Sequence, residues 1–342
     1  MLLFKNISVY SPKFLGNMDV LTCFDKVVYI STNISAGSFP EIKVIDGTNL
    51  IMCPGIIDLH IHIAGGGGEG GFNTRTPELM LTDMTMAGIT TGIGLLGTDG
   101  TTRSMGNLIA KARALEIEGI STYVWTGCYQ VPTRTVTDSP RGDIILVDKI
   151  IGIGEIAISD HRSSHPSHKD LAELASEART GGMISGKAGV LHLHTGDEPE
   201  GLEPAVSLYK DWNIPFENVL PTHINRNHKL FNQAVNYAEM GGYVDITTGI
   251  KPETPDSMEV DPGKALKILL ENKISPVSIT MSSDAGGSMP IYDENGKLLK
   301  LSTGSPASDL EALKSCISRG IAFETAIIPF TLSPARLLKL KG

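Results

Sequence analysis

Positive charge is in short supply. Against 38 Asp and Glu the chain carries 29 Lys and Arg, a formal net charge of −9. An acidic chain is a poor partner for a phosphate backbone, so no nucleic-acid ligand is expected. Cysteine is scarce as well. Cys23, Cys53, Cys128 and Cys316 are the only four, none at CxxC spacing, which points to neither a disulfide framework nor a thiolate zinc site. Dispersed, reduced thiols fit the cytosol. No apolar run approaches the roughly 20 residues of a membrane span. The start, MLLFKNISVYSP, lacks a basic n-region, a long apolar stretch and a small-residue cleavage site. A cytoplasmic protein with no membrane partner is expected.

Glycine, by contrast, is plentiful at 37 of 342 residues, and 41% of the chain is hydrophobic. That apolar content is enough to offset the ordering entropy that keeps polar chains unfolded. The length suits two domains, or one α/β barrel of about 250 residues with a small module.

Residues 1–52 read as that small β module. LLFKNISVYS, KVVYIS and EIKVIDGTNLIM are strand-like, and no helical period interrupts them. From about residue 53 to 342 the pattern changes. Apolar strand candidates at 56–63, 89–96, 120–126, 151–158, 189–195, 219–224, 242–247 and 277–283 alternate with helical segments. PELMLTDMTMAG, MGNLIAKARALEIEG, DLAELASEARTGG and KLFNQAVNYAEMGG are among these, and each ends in Gly, as helix C-termini tend to. Continuous apolar strands separated by helices imply a parallel sheet covered on both faces, and eight of them fit a (β/α)8 barrel. The run GGGGEGG does match GxGxxG at Gly66, Gly68 and Gly71. With no helix following at once and a His pair preceding it, a dinucleotide fold is not favoured.

The strongest local signal is PGIIDLHIHI. His60 and His62, two apart on a strand, present their imidazoles to one side. They stand at the strand's C-terminal end, where barrel enzymes place their chemistry. Alone, the pair is equally consistent with two partly buried histidines bonded to nearby loops. The other strand ends add Glu155, His194, His223 and Asp284, and so dense a set of buried polar groups is costly unless a cation sits among them.

PGIIDLHIH, HTGD, PTHINRN and SSD resemble the amidohydrolase superfamily. GGGGEGGFNTRTPE, LLGTDG, TGCYQVPTRT, AISDHRS, LPTHINRN and SSDAGGS, spread over about residues 54–290, resemble the isoaspartyl (β-aspartyl) dipeptidases more closely. The resemblance implies a TIM-like metal-dependent hydrolase barrel with a small N-terminal β-sandwich module, and a binuclear zinc site. His60 and His62 would bind one Zn2+ with Asp284, His194 and His223 the other, with a carboxylate bridging them. The family's bridge is a carbamylated lysine; this chain has Glu155 there. A glutamate also offers two oxygens but reaches less far, so two zinc ions are expected and one is the alternative. Gly152 and Gly154 would let the strand approach. Lys149 and Lys187 are expected to be solvated, His192 and His161 to lie behind the ligands, and His165 and His168 to be exposed.

The same resemblance implies hydrolysis of the β-amide of a dipeptide, releasing L-aspartate. Hydroxide formed on zinc would attack, Asp284 would act as base and then acid, and Tyr129 would donate to the oxyanion. Glu69, after Gly67 and Gly68, would hold the α-ammonium. Arg162 and Arg226 would hold the carboxylates, and Thr98 and Ser288 would add hydrogen bonds. The alternative is another amidohydrolase acting on cyclic amides or N-acyl amino acids, dihydroorotase-like or deacetylase-like; an inactive binding protein is the reading from another class. Family members carry strands after the barrel that return to the module, and this chain stops at PARLLKLKG. The module is therefore expected to lack partner strands, or the chain to be a truncated form. A homo-oligomer is expected.

Overall fold

The computed structural model describes residues 1–38, 41–252, 257–292 and 298–340; the last two residues of PARLLKLKG lie outside them. The chain opens with β1 (Leu2–Tyr10), β2 (Phe14–Cys23), β3 (Lys26–Ser31), β4 (Lys43–Asp46) and β5 (Ile51–Met52). They form one five-stranded sheet of order β3-β2-β1-β4, with β5 also paired to β1. The module expected as a sandwich is thus a single sheet among the described residues. It carries two small apolar clusters, Leu3–Leu21–Ile34 and Ile7–Val9–Val20. Buried Asp19 ties it together by accepting from Lys5 and from the amides of Asn6 and Ile34. Tyr10 packs on Phe323 at a centroid distance of 4.8 Å, joining sheet to barrel.

The barrel strands follow: β6 (Ile56–Ile61), β7 (Ile89–Gly94), β8 (Ser121–Thr126), β9 (Ile150–Ile158), β10 (Val190–Thr195), β11 (Val219–Thr222), β12 (Val244–Thr247) and β13 (Ile279–Ser282). Each falls inside or across one of the eight segments expected from sequence. β6 to β11 form a parallel six-stranded sheet, and β12 pairs with β13. Main-chain hydrogen bonds close the ring at both seams. Ile224 donates to Asp245 at 3.4 Å, while Asp284 donates to His60 at 3.1 Å and His62 to Ala285 at 2.7 Å. The second seam therefore runs between two segments that carry site residues. A hairpin of β14 (Ser288–Tyr292) and β15 (Leu298–Thr303) follows β13.

The helices are α1 (Leu81–Met86), α2 (Met105–Glu118), α3 (Pro140–Leu146), α4 (His168–Ser185), α5 (Glu203–Lys210), α6 (His228–Glu239), α7 (Pro262–Glu271), α8 (Ala307–Ser318), α9 (Phe323–Ala326) and α10 (Leu332–Leu337). Local sequence sets their ends. Ser167 caps α4 by accepting from the Asp170 amide, Asp170 returns the bond, and Gly186 stops the helix at φ 72°. Every residue of β9 is buried, as a strand covered on both faces requires.

Two lysines depart from expectation. Lys149 is buried, donating to the Thr122 carbonyl at 3.0 Å and pairing with Glu116. Lys187 gives hydrogen bonds to the carbonyls of Ile144, Val147 and Ile150. Lys149 thus serves a carbonyl of β8, while Lys187 satisfies carbonyls that the end of α3 leaves unpaired and one at the start of β9. No described helix is long and apolar enough to cross a membrane.

Candidate metal centre and substrate pocket

The six residues expected to hold metal lie at the C-terminal ends of the barrel strands. His60 is in β6 with His62 just beyond, Glu155 is in β9, and His194 is in β10. His223 follows β11 and Asp284 follows β13. All six are buried. His223 and Asp284 take left-handed backbone conformations, φ 61° and 54°, which cost any residue but glycine some strain, though Asp and His tolerate them better than most. Each is held by a specific bond: His223 Nδ1 meets Thr247 Oγ1 at 2.7 Å, and the Asp284 amide donates to the His60 carbonyl.

Glu155 stands between the two histidine pairs. Its Oε1 lies 3.5 Å from Nε2 of both His60 and His62. Its Oε2 lies 3.0 Å from His194 Nδ1 and 3.5 Å from His223 Nε2. Asp284 Oδ1 completes the first group, 3.4 Å from His60 Nε2 and 3.2 Å from His62 Nε2. A β-bulge re-aims the strand at this point, since Leu191 pairs with Ile153 and Leu193 with Ile156, leaving Gly154 and Glu155 opposite His192. A side chain at residue 154 would meet His192 Cβ at 2.7 Å, and one at 152 would meet the Trp125 ring at 2.6 Å. The bare glycines thus let the shorter glutamate approach. Gly97 is a third bare position, where a Cβ would lie 2.9 Å from His62 Cε1 and 3.3 Å from Glu155 Oε1.

The electrostatics suit a cation. Burial opposes charge on Glu155, but His60, His194 and His223 outweigh it and hold the carboxyl well below its ordinary range. Asp284 is likewise lowered, with the neighbouring His60 and His62 overcoming burial. For His60, burial disfavours the imidazolium, yet the Glu155 and Asp284 carboxylates raise it well above 6.5. Burial pushes His223 down to about 3, so its ring is neutral. Among the described residues, buried His60 Nε2, which faces Glu155 and Asp284, has no hydrogen-bond partner. Among the described residues, three overlapping groups, His60–His62–Glu155, His60–His223–Asp284 and Glu155–His194–His223, have ligand atoms close enough to share an ion. Four imidazoles beside two ionised carboxylates match the donor chemistry of a divalent transition metal.

Neighbours orient these rings. His192, expected behind the ligands, meets His60 Nδ1 with its Nε2 at 2.8 Å, and its own Nδ1 faces the Leu220 carbonyl at 3.1 Å. Tyr129 OH lies 2.8 Å from His194 Nδ1. Burial, then the charge of Glu155, raise this phenol well above 10 and keep its proton on. Asp160, which the sequence did not single out, lies 3.0 Å from His194 Nε2. Thr247 was also missed. His161 is exposed, not behind the ligands, since Asp160 takes the inward place beside it. His165 is exposed and His168 partly so.

The residues expected to bind substrate gather at the rim. Thr98 Oγ1 and Ser288 Oγ each donate to Glu69 at 3.0 Å, so both hydroxyls serve the carboxylate itself. Arg162 Nη1 is 3.6 Å from Glu69, and its guanidinium lies over the Tyr129 ring at 5.3 Å. Arg226 stands 3.9 Å from Asp160 and 3.8 Å from Asp197. Gly67 and Gly68 adopt φ 69° and 107°, and Arg103 fastens this loop through the carbonyls of Ala64, Gly66 and Thr76.

The chain superposes on the β-aspartyl dipeptidase of Fervidobacterium islandicum AW-1 in complex with the β-Asp-Leu dipeptide. The TM-score is 0.92 at 40% identity, covering 99% of this chain and 87% of that one. The chain belongs to the β-aspartyl dipeptidase family, a branch of the amidohydrolases. A second structure of the Fervidobacterium protein gives 0.90 at 39% identity, with the same coverage. The L-hydantoinase of Arthrobacter aurescens shares the dipeptidase fold, at TM-score 0.63 and 16% identity over 98% of this chain and 82% of that one. A dihydroorotase of Streptococcus thermophilus CNRZ 1066 is 45% identical over 64 residues, a stretch that spans 18% of this chain and 14% of that protein. No protein-family profile matches the chain.

Proposed function

We propose that the protein hydrolyses the β-aspartyl amide bond of dipeptides at a zinc centre that His60, His62, His194, His223 and Asp284 would hold, with Glu155 reaching both histidine pairs and two ions expected. The observation that carries this reading is the division of the Glu155 oxygens, one facing His60 and His62, the other His194 and His223. Asp284 adds a ligand on the first side. A bound divalent cation supplies Lewis acidity, polarising the amide carbonyl and making water a better nucleophile near pH 7.

The chain's own residues do the rest. A β-aspartyl dipeptide carries one ammonium and two carboxylates. Glu69 retains lone pairs for the ammonium after accepting from Thr98 and Ser288, while Arg162 and Arg226 match the carboxylates. Asp284, ionised at the mouth, takes the proton of the attacking water and returns it to the leaving amine. Tyr129, neutral and pointing into the site, donates to the oxygen that gains charge. In this reading the barrel, residues 53–342, holds the whole site, and residues 1–52 contribute none of it.

The test is a pair of isomers. Zinc-loaded protein should cleave β-Asp-Leu and leave α-Asp-Leu intact. Cleavage of dihydroorotate or an N-acyl amino acid, with β-Asp-Leu untouched, would transfer the site to another amidohydrolase chemistry.

A further inference from the structure

Asp160 is almost fully buried, and each of its oxygens has a distinct set of partners. Oδ1 accepts from the Arg162 amide at 2.8 Å and from Arg162 Nε at 2.9 Å. Oδ2 accepts from Arg162 Nη2 at 2.7 Å and lies 3.0 Å from His194 Nε2. The residue is held by the loops themselves. Ser159, before it, takes φ 52°, and its carbonyl accepts from the Glu198 amide at 2.9 Å. A Cβ on Gly196 would overlap the Ser159 carbonyl and Asp160 Cβ, so the segment after β10 closes on the segment after β9 only because residue 196 has no side chain.

His194 meets a carboxylate on each side, Asp160 Oδ2 at 3.0 Å from Nε2 and Glu155 Oε2 at 3.0 Å from Nδ1. Tyr129 OH lies 2.8 Å from Nδ1 and can donate to it, so the ring hydrogen goes on Nε2 and points at Asp160, which only accepts, and the Nδ1 lone pair is left on the side of Glu155. Arg162 Nη2 also lies 3.3 Å from Nε2, but its shorter bond goes to Asp160. We infer that Asp160 is a positioning residue with two tasks: it fixes His194 in the tautomer that offers Nδ1 to a cation, and it sets the Arg162 guanidinium for a substrate carboxylate. One carboxyl group thereby ties the metal centre to the recognition of the ligand. The second task rests on the dipeptidase reading; the first does not.

Asp160→Asn separates them. The two bonds at Oδ1 hold the amide in place and put its NH2 where Oδ2 stood, facing His194 Nε2 and Arg162 Nη2. His194 then accepts on Nε2 and carries its hydrogen on Nδ1. Zinc affinity, read by competition with a chromophoric chelator, should fall roughly ten- to a hundredfold. L-aspartate binding to the zinc-saturated protein, read by calorimetry without turnover, should weaken in parallel. Arg162→Gln should weaken L-aspartate binding and leave zinc affinity unchanged. If Asp160→Asn keeps wild-type affinity for either zinc or L-aspartate, or if Arg162→Gln loses zinc as well, the double role is wrong. A crystal structure of zinc-loaded wild-type protein decides the tautomer even if the variant fails to fold: zinc on His194 Nδ1 supports it and zinc on Nε2 overturns it. Turnover of β-Asp-Leu by the wild type, measured alongside, judges the dipeptidase reading on its own.

Discussion

His192 sits directly behind His60, with its Nε2 2.8 Å from His60 Nδ1 and its Nδ1 3.1 Å from the carbonyl of Leu220. The carbonyl can only accept, so His192 carries its hydrogen on Nδ1 and receives one from His60 Nδ1, which leaves His60 Nε2 as the nitrogen that faces Glu155 and Asp284. His192 also stacks on Trp125 at 5.0 Å. His192→Phe keeps the stacking and removes the acceptor. It should lower zinc affinity by roughly ten- to a hundredfold while circular dichroism stays that of the wild type. Unchanged affinity in a chelator competition would show that the relay does not orient His60.

Gly97→Ala adds one methyl group against His62 and Glu155. Overpacking of this kind typically costs about 1–3 kcal/mol, and a misplacement near 1 Å at reacting groups costs about a hundredfold in rate. We expect turnover of β-Asp-Leu to fall by about that factor with a modest drop in Tm. An alanine variant with wild-type kinetics would mean that the pocket wall yields freely.

Asp284→Asn keeps the size of the side chain and abolishes its basicity. Loss of at least about two orders of magnitude in kcat is expected, with KM for β-Asp-Leu nearly unmoved because Glu69, Arg162 and Arg226 are untouched. Near-normal kcat would remove Asp284 from proton transfer.

Asp309 gives the pH prediction. It is fully buried, accepts from Thr248 Oγ1 at 2.8 Å through Oδ1, and has no partner at Oδ2 among the described residues. Burial first, and then the charge of Asp58, raise its carboxyl well above 3.8. A group whose folded-state pKa is raised contributes stability that is fully present below its unfolded pKa and is lost as pH climbs through the folded value. Asp309→Asn removes this loss. The Tm difference, variant minus wild type, should therefore grow more positive between pH 5 and pH 8. A difference that is constant or shrinks over that range would place the ionisation elsewhere.

Much of this was legible in the chain. Eight segments rich in Ile, Val and Leu announced the barrel because its strands are covered on both faces. The six ligand-type residues were legible because they recur at the same end of those strands. What escaped depends on contacts that only folding creates. β2 (FLGNMDVLTC) was missed because Gly16, Asn17 and Asp19 break its alternation; Asp19 turns out to be the buried partner of Lys5. Lys149 and Lys187 read as surface charges because nothing in sequence shows that carbonyls await them. Asp160 reads as one more loop acid until the kink at Ser159 and the bare Gly196 bring it to His194. His161 shows the same limit from the other side, since one residue's difference in a loop exchanges an inward place for solvent.

Metal stoichiometry tests the central claim most directly. Purified protein reconstituted with zinc and freed of excess by gel filtration should retain two equivalents per chain, and Glu155→Gln, prepared in the same way, should retain one or none. A wild type saturated by a single equivalent, or a Glu155→Gln variant that still holds two, would contradict the bridge between His60–His62 and His194–His223.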